Sequence, residues 1–130
     1  MVALRSRTPL RVAAALVAAL APAVAAAHAL LLESTPADGA VLAAAPPRAV
    51  LRFDSRIERR LARAVLTGPD GRAVALAVDP AGADAHPDEL ALVLPALGPG
   101  EYRLAYHVLA VDGHATPGQI RFTVRPASPG

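Results

Sequence analysis

The sequence predicts an all-β protein, an antiparallel β-sandwich of about seven short strands. Three observations support this prediction. Apolar and polar residues alternate with a period of two through much of the chain after residue 28. The alternating segments are separated by turn sequences rich in proline, glycine and aspartate. Setting aside the first 27 of the 130 residues leaves 103, which is enough for one small domain.

The alternation is clearest in residues 101–108 and 119–125, and residues 90–94 show it too. In the first two segments the apolar positions are Tyr102, Leu104, Tyr106, Val108, Ile120, Phe122 and Val124. Charged and polar residues occupy the positions between them. Each of these segments is therefore interpreted as a half-buried strand.

The remaining strands are assigned from shorter signals. Candidate strands lie at residues 30–32, 49–53, 61–67 and 73–78, and of residues 57–66 only the second half is interpreted as strand. The turns that separate them lie at residues 36–39, 46–47, 68–71 and 98–100, where proline presets φ and glycine supplies positive φ. Residues 57–62 favour a helical turn, and residues 79–88 are interpreted as a surface loop.

Residues 1–27 have the features of a secretory signal peptide. Three arginines lie in the first eleven residues, an apolar run follows at 12–20, and Pro22 interrupts it before the small residues Ala25 and Ala27. The apolar run is shorter than the roughly 20 residues that a membrane span requires. We therefore expect a mature domain of residues 28–130 located outside the cytoplasm.

The position of cleavage decides which residue begins the mature chain. A cut after Ala27 makes His28 the N-terminal residue. Val24 and Ala26 also satisfy the small-residue rule, so cleavage before Ala27 remains an alternative. Only the first cut creates an N-terminal histidine, which can chelate a metal through its α-amine and Nδ1.

Composition limits the partners and the metal. The whole chain has 13 basic and 11 acidic side chains, and three of the arginines lie in the signal, so the mature domain carries a slight negative charge. This charge gives no reason to expect a nucleic acid partner. The chain has no cysteine, and its single methionine is Met1, so nitrogen and oxygen must hold any metal in the mature domain.

The chain has four histidines, and two of them are interpreted as incidental. His107 falls on the polar face of its strand with Glu101 and Arg103, which is typical of a solvated residue. His86 lies in the loop of residues 79–88, where a weak secondary metal site is the most that we expect. This leaves His28 and His114 as candidate ligands.

The segment Asp112-Gly113-His114 has two interpretations. Asp-Gly is a strong hairpin signal, so Asp112 and His114 can be exposed residues of an ordinary turn. An N-terminal His28 favours the alternative, a metal site. An amine, two imidazoles and a carboxylate form a tetragonal nitrogen and oxygen set, which is typical of Cu(II).

Ordered segments along the mature chain resemble the CopC family of periplasmic copper-binding proteins. They are His28, residues 34–39, 51–53, 66–71, 99–102, 106–114 and 118–124. The resemblance implies an immunoglobulin-like, cupredoxin-like Greek-key β-sandwich or barrel that binds one Cu(II) ion. It implies that His28 supplies its amine and Nδ1, His114 an imidazole, and Asp112 a weakly bound carboxylate.

The resemblance also implies a mode of action and a partner, and the chain departs from the family pattern at one place. It implies a periplasmic monomer that sequesters or carries copper without catalysis, and a separate CopD-like copper transporter of the inner membrane as partner. The order Asp54-Ser55 reverses the Ser-acid order common in the family, so we do not expect Asp54 to support the metal. Two other hypotheses are a copper monooxygenase-like enzyme that uses the same histidine chelate, and a metal-free immunoglobulin-like interaction module.

Overall fold

The computed structural model describes residues 29–81 and 85–127. These residues form nine strands and one short 3-10 helix, Arg59–Leu61. The strands are β1 Leu31–Thr35, β2 Ala40–Leu42, β3 Arg48–Phe53, β4 Arg63–Thr67, β5 Ala73–Ala75, β6 Ala77–Val78, β7 Glu89–Val93, β8 Gly100–Leu109 and β9 Ala115–Val124.

The strands form two sheets that face each other. The four-stranded sheet has the order β1-β3-β7-β6, and the five-stranded sheet has the order β2-β9-β8-β4-β5. Every pair is antiparallel except β2 with β9. The longest pairing joins β8 to β9 over ten residue pairs, from Gly100 with Val124 to Leu109 with Ala115. This hairpin is therefore the main support of the five-stranded sheet.

The core lies between the sheets and consists of the alternating apolar positions of both. In β8 every second residue from Tyr102 to Val108 is buried, and the residues between them are exposed. The largest fully buried side chains are Phe53, Phe122, Leu51, Leu90, Leu92, Leu104, Ile120 and Val108. The period of two thus arises because long strands such as β8 have one face in the core and one in solvent.

Aromatic contacts fix both ends of the core. The Tyr102 hydroxyl donates a hydrogen bond to the Gly98 carbonyl at 2.7 Å, and its ring stacks on Phe122 with centroids 5.5 Å apart. A tyrosine bonded to the backbone a few residues upstream is a feature of immunoglobulin-like sandwiches. At the other end Phe53 and Tyr106 meet edge to face, also at 5.5 Å, and link the two sheets.

The predicted β-sandwich is confirmed. The two sheets do not close into a barrel, so the sandwich is the correct form of the predicted architecture. The 3-10 helix at Arg59–Leu61 followed by β4 matches the helical turn predicted in residues 57–66 before a strand in their second half. Among the described residues, no helix is long and apolar enough to cross a membrane.

The strand count differs from the prediction in two places. β2 was not predicted, because it is only three residues long and is held by parallel pairing with the distant β9. The segment predicted as one strand at 73–78 is two strands in different sheets, with Leu76 between them. Leu76 N–H donates to the Ala64 carbonyl at 2.9 Å, and the chain then crosses to pair with β7.

Candidate metal centre

The connection between β8 and β9 carries two of the predicted ligands. β8 ends at Leu109 and β9 begins at Ala115, so five residues form the turn. Ala110 N–H donates to the His114 carbonyl and Gly113 N–H to the Ala110 carbonyl, both at 2.9 Å. Gly113 has φ +94°, a conformation that glycine adopts without strain. The predicted end of the strand near Val111 and the Asp-Gly turn are therefore present.

Asp112 and His114 lie against each other in this turn. Asp112 Oδ1 accepts the His114 backbone N–H at 3.1 Å, and Oδ2 lies 3.1 Å from His114 Nδ1. The hydrogen bonds from the backbone and side chain of His114 hold the pKa of Asp112 below its usual range, although partial desolvation opposes this. The side chains of His114 and Asp112 are 49% and 34% exposed. A carboxylate and an imidazole are thus held together where an ion can reach them.

The first described residues are held firmly at one edge of the four-stranded sheet. Ala29 is fully buried in the core. The next residue, Leu30, makes two hydrogen bonds with Asp54: Leu30 N–H donates to Asp54 Oδ1 at 2.8 Å, and Asp54 N–H donates to the Leu30 carbonyl at 2.9 Å. Asp54 directly follows β3, so it attaches Leu30 to the end of that strand.

The loop after Asp54 connects this edge to the β8–β9 turn. Val111 N–H donates to the Arg56 carbonyl at 3.2 Å, and Glu58 N–H donates to the Leu109 carbonyl at 2.8 Å. Ile57 and Ala110 form an isolated antiparallel bridge between these contacts. Residues 29–30 and the Asp112–His114 turn therefore lie at the same end of the sandwich, joined through residues 54–58.

Of the three predicted metal ligands, the structure describes Asp112 and His114, while His28 lies outside the described residues. Within residues 29–81 and 85–127, no group of three histidine, cysteine or acidic side chains has a metal-binding arrangement. Asp54, which the sequence argument set aside, holds the backbone of Leu30. No signal in its neighbouring residues marks this contact, because Asp54 and Leu30 are 24 residues apart in sequence.

The other two histidines lie elsewhere. His107 is exposed on the outer face of β8, paired with Arg63 on one side and Pro117 on the other. His86 is exposed near β7, and its carbonyl accepts a hydrogen bond from the Arg59 side chain. Their exposure agrees with the interpretation of both as surface residues.

The model of the CopC domain matches residues 31–125. This chain belongs to the CopC family. The match covers β1 through β9 and includes the Asp112–His114 turn.

Curated relatives and solved structures agree with this assignment. Protein YobA from Escherichia coli K12 is 35% identical over 102 residues, which cover 76% of this chain and 80% of YobA. Protein YobA from Shigella flexneri matches to the same extent. CopC from Methylosinus trichosporium OB3b has a TM-score of 0.69 at 29% identity, over 78% of this chain and 97% of the other.

A second structural relative is PcoC from Escherichia coli, described as a methionine-rich copper resistance protein. It has a TM-score of 0.61 at 26% identity, over 76% of this chain and 100% of PcoC. Unlike a methionine-rich protein, this chain has Met1 alone. Family membership supports the expectation that the protein is not an enzyme.

Proposed function

We propose that the mature chain begins at His28 and carries copper outside the cytoplasm as one bound Cu(II) ion. The observation that supports this most directly is the position of the Asp112–His114 turn. It lies at the same end of the sandwich as Ala29 and Leu30, the residues that directly follow His28. Two candidate ligands and the proposed start of the mature domain thus lie at one end of the sandwich.

The proposed ligand set follows from the chemistry of these groups. The amine and Nδ1 of His28 close a six-membered chelate ring. His114 Nδ1 already faces Asp112, so we propose that His114 binds the ion through Nε2. Nitrogen donors in a tetragonal arrangement favour Cu(II), and no methionine is present in the mature domain to hold Cu(I).

Asp112 has two roles in this proposal. In the hairpin its carboxylate holds the imidazole and the backbone of His114 in place. A carboxylate that orients a ligating histidine also raises the basicity of the ring. Rotation of the carboxylate away from Nδ1 and toward the ion exchanges this support for an oxygen ligand, which is expected to be the weakest bond of the set. Ligand and support are therefore alternative roles of the same side chain.

Copper resistance is the biological role that we propose. Two solved relatives support this role, CopC from Methylosinus trichosporium OB3b and the copper resistance protein PcoC. In this role the protein sequesters or carries copper in the periplasm or an equivalent compartment after removal of residues 1–27. A CopD-like membrane transporter is the proposed acceptor of the ion, and the protein is proposed to act as a monomer.

The decisive experiment compares two N-termini. Protein beginning at His28 and protein with one additional alanine before His28 are each titrated with Cu(II) against a competing chelator. The added residue converts the free amine into an amide and removes the chelate. We expect the form that begins at His28 to bind one ion about 100-fold more tightly. Loss of a residue that only supports a ligand typically costs about 10–100-fold in metal affinity, and loss of the chelate should reach the upper end of that range.

Substitutions in the turn then test the other ligands. His114→Ala should weaken binding by about 100-fold, and Asp112→Ala by about 10-fold. Asp112→Asn separates the two roles, because the amide oxygen can still accept the His114 backbone N–H but carries no charge. His107→Ala is the matched control and should not change the affinity. Equal affinity in the two N-terminal forms, or in wild type and His114→Ala, would contradict the proposed site.

A further inference from the structure

The outer faces of the two sheets differ in how their arginines are neutralised. On the four-stranded sheet, Arg52 lies opposite Glu33 on the neighbouring strand and forms an ion pair with it at 3.1 Å. On the five-stranded sheet, Arg103 of β8 lies opposite Arg121 of β9. Within the described part of the chain, neither of these two arginines has a carboxylate within salt-bridge distance of its side chain.

The register places these groups in one row across three strands. Thr67 of β4 lies opposite Arg103, and Arg103 lies opposite Arg121. Directly opposed residues share a face of the sheet, and both arginines are exposed. Like charges at opposed positions destabilise a strand pair. An anion that lies between the two guanidinium groups would remove this repulsion.

A shallow hollow lies over this row. Its volume is about 370 Å³, and its lining includes both arginines together with Thr67 and Thr123. Gly39 forms one side of it, and its N–H donates to the Arg121 carbonyl.

Two carboxylates lie close to the hollow. Glu101 is part of the lining, opposite Thr123. Asp38 accepts the backbone N–H of Arg121 at 2.9 Å through Oδ1. Asp38 lies beside the lining and is not part of it. The lining itself carries two guanidinium groups and one carboxylate, which leaves it with net positive charge.

We propose that this hollow binds a phosphate-type oxyanion through the guanidinium groups of Arg103 and Arg121. The planar guanidinium fork matches the spacing of two phosphate oxygens. Thr67 and Thr123 also line the hollow, and their hydroxyls can donate to further oxygens of the phosphate. The anion is either free inorganic phosphate or the phosphate of a lipid headgroup, because both present the same oxygens.

This site is separate from the proposed copper site. Arg121 lies six residues along β9 from Ala115, which corresponds to roughly 20 Å at the rise of a β-strand. Oxyanion binding is therefore expected in metal-free protein and in protein with a disabled metal site. Its failure would leave the copper proposal unchanged.

The first experiment titrates metal-free protein with inorganic phosphate and follows backbone amide chemical shifts. Chloride replaces phosphate at constant ionic strength in the reference titration. We expect saturable shifts at residues 67, 103, 121 and 123. Arg103→Gln and Arg121→Gln should each weaken phosphate binding about 10-fold, since each removes a charge-assisted hydrogen-bonding partner.

Arg52→Gln is the matched control. It makes the same change in net charge on the opposite sheet, and thermal unfolding confirms that each variant is folded. Phosphate affinity in Arg52→Gln should equal that of wild type. Loss of affinity in Arg52→Gln equal to that in Arg103→Gln would show a general charge effect and overturn the proposal.

A second experiment distinguishes the two sources of phosphate. Wild type and Arg103→Gln are sedimented with vesicles of phosphatidylglycerol and phosphatidylcholine, or of phosphatidylcholine alone. Binding only to the anionic vesicles, lost in Arg103→Gln, assigns the site to a lipid headgroup. Binding to inorganic phosphate alone assigns it to the free ion. Shifts no larger with phosphate than with chloride, together with no vesicle binding, would refute the proposal.

Discussion

Asp54→Ala is expected to weaken copper binding without removing any proposed ligand. Asp54 Oδ1 accepts the Leu30 backbone N–H at 2.8 Å, two residues after His28. In the variant this bond is lost, while the bond from the residue 54 N–H to the Leu30 carbonyl does not need the side chain. Ala29 is also still able to pack in the core. The substitution therefore loosens the start of the domain and does not release it.

The size of the effect follows from the contacts that are lost. A hydrogen bond to a charged group contributes about 1.5–3 kcal/mol, and the exposure of Asp54 favours the lower value. In a domain of this size we expect the Tm of the metal-free protein to fall by roughly 5–10 °C. Re-ordering about one backbone residue on metal binding costs about 1–2 kcal/mol, which corresponds to roughly a 10-fold loss of Cu(II) affinity.

The assay measures Cu(II) affinity by chelator competition and the Tm of the metal-free protein for each variant. Asp54→Asn retains an oxygen acceptor and should recover most of both quantities. Asp38→Ala is the matched control, because Asp38 accepts the Arg121 N–H at 2.9 Å far from the turn. It should lower the Tm by a similar amount and leave copper affinity unchanged. Wild-type copper affinity in an Asp54→Ala protein with a lowered Tm would refute this reasoning.

Three further outcomes are expected. Copper should dissociate as pH falls below about 6.5 in a competition titration, because protons displace the ion from the imidazoles and the amine. Asp112, whose pKa is lowered, stays ionised over this range. Copper affinity independent of pH between 5 and 8 would contradict nitrogen ligation. Gly118→Ala should lower the free energy of unfolding by about 1–3 kcal/mol in a urea titration, since its Cβ would overlap the Tyr106 ring. Tyr102→Phe should cost about 1 kcal/mol in the same assay through loss of the hydrogen bond to the Gly98 carbonyl, and no change would show that water replaces this bond.

Sequence periodicity predicted the strands that have one face in the core. β3, β8 and β9 were found because buried positions alternate with more exposed ones along each of them. β7 was found from its alternating leucines, although Ala91 between two of them is buried as well. β2 was not found, since three residues give no period and its pairing with β9 is more than 75 residues distant in sequence. The alternation at 73–78 is real, but a local pattern does not encode the point at which a chain passes from one sheet to the other.

The candidate site was predictable to the extent that it depends on local chemistry. Asp112 and His114 became candidates because Asp-Gly marks a turn with a histidine after it, and because a predicted N-terminal His28 favoured a metal site over an ordinary hairpin. The contribution of Asp54 was not predictable from its neighbours, because it acts on the backbone of Leu30 across 24 residues of sequence. The order Asp54-Ser55 bears only on whether this carboxylate supports the metal. It does not predict the hydrogen bond through which Asp54 holds Leu30.

The two halves of the proposed site differ in what each requires before it can bind the ion. The Asp112–His114 turn is closed by four hydrogen bonds within residues 110–114, so metal binding has little to organise there. The other half depends on a free amine that exists only after processing. A preorganised half with two donors binds weakly alone, and the chelate supplies the remaining affinity. We therefore infer that cleavage before His28 is the step that makes the protein competent for copper, which restricts tight binding to the exported chain.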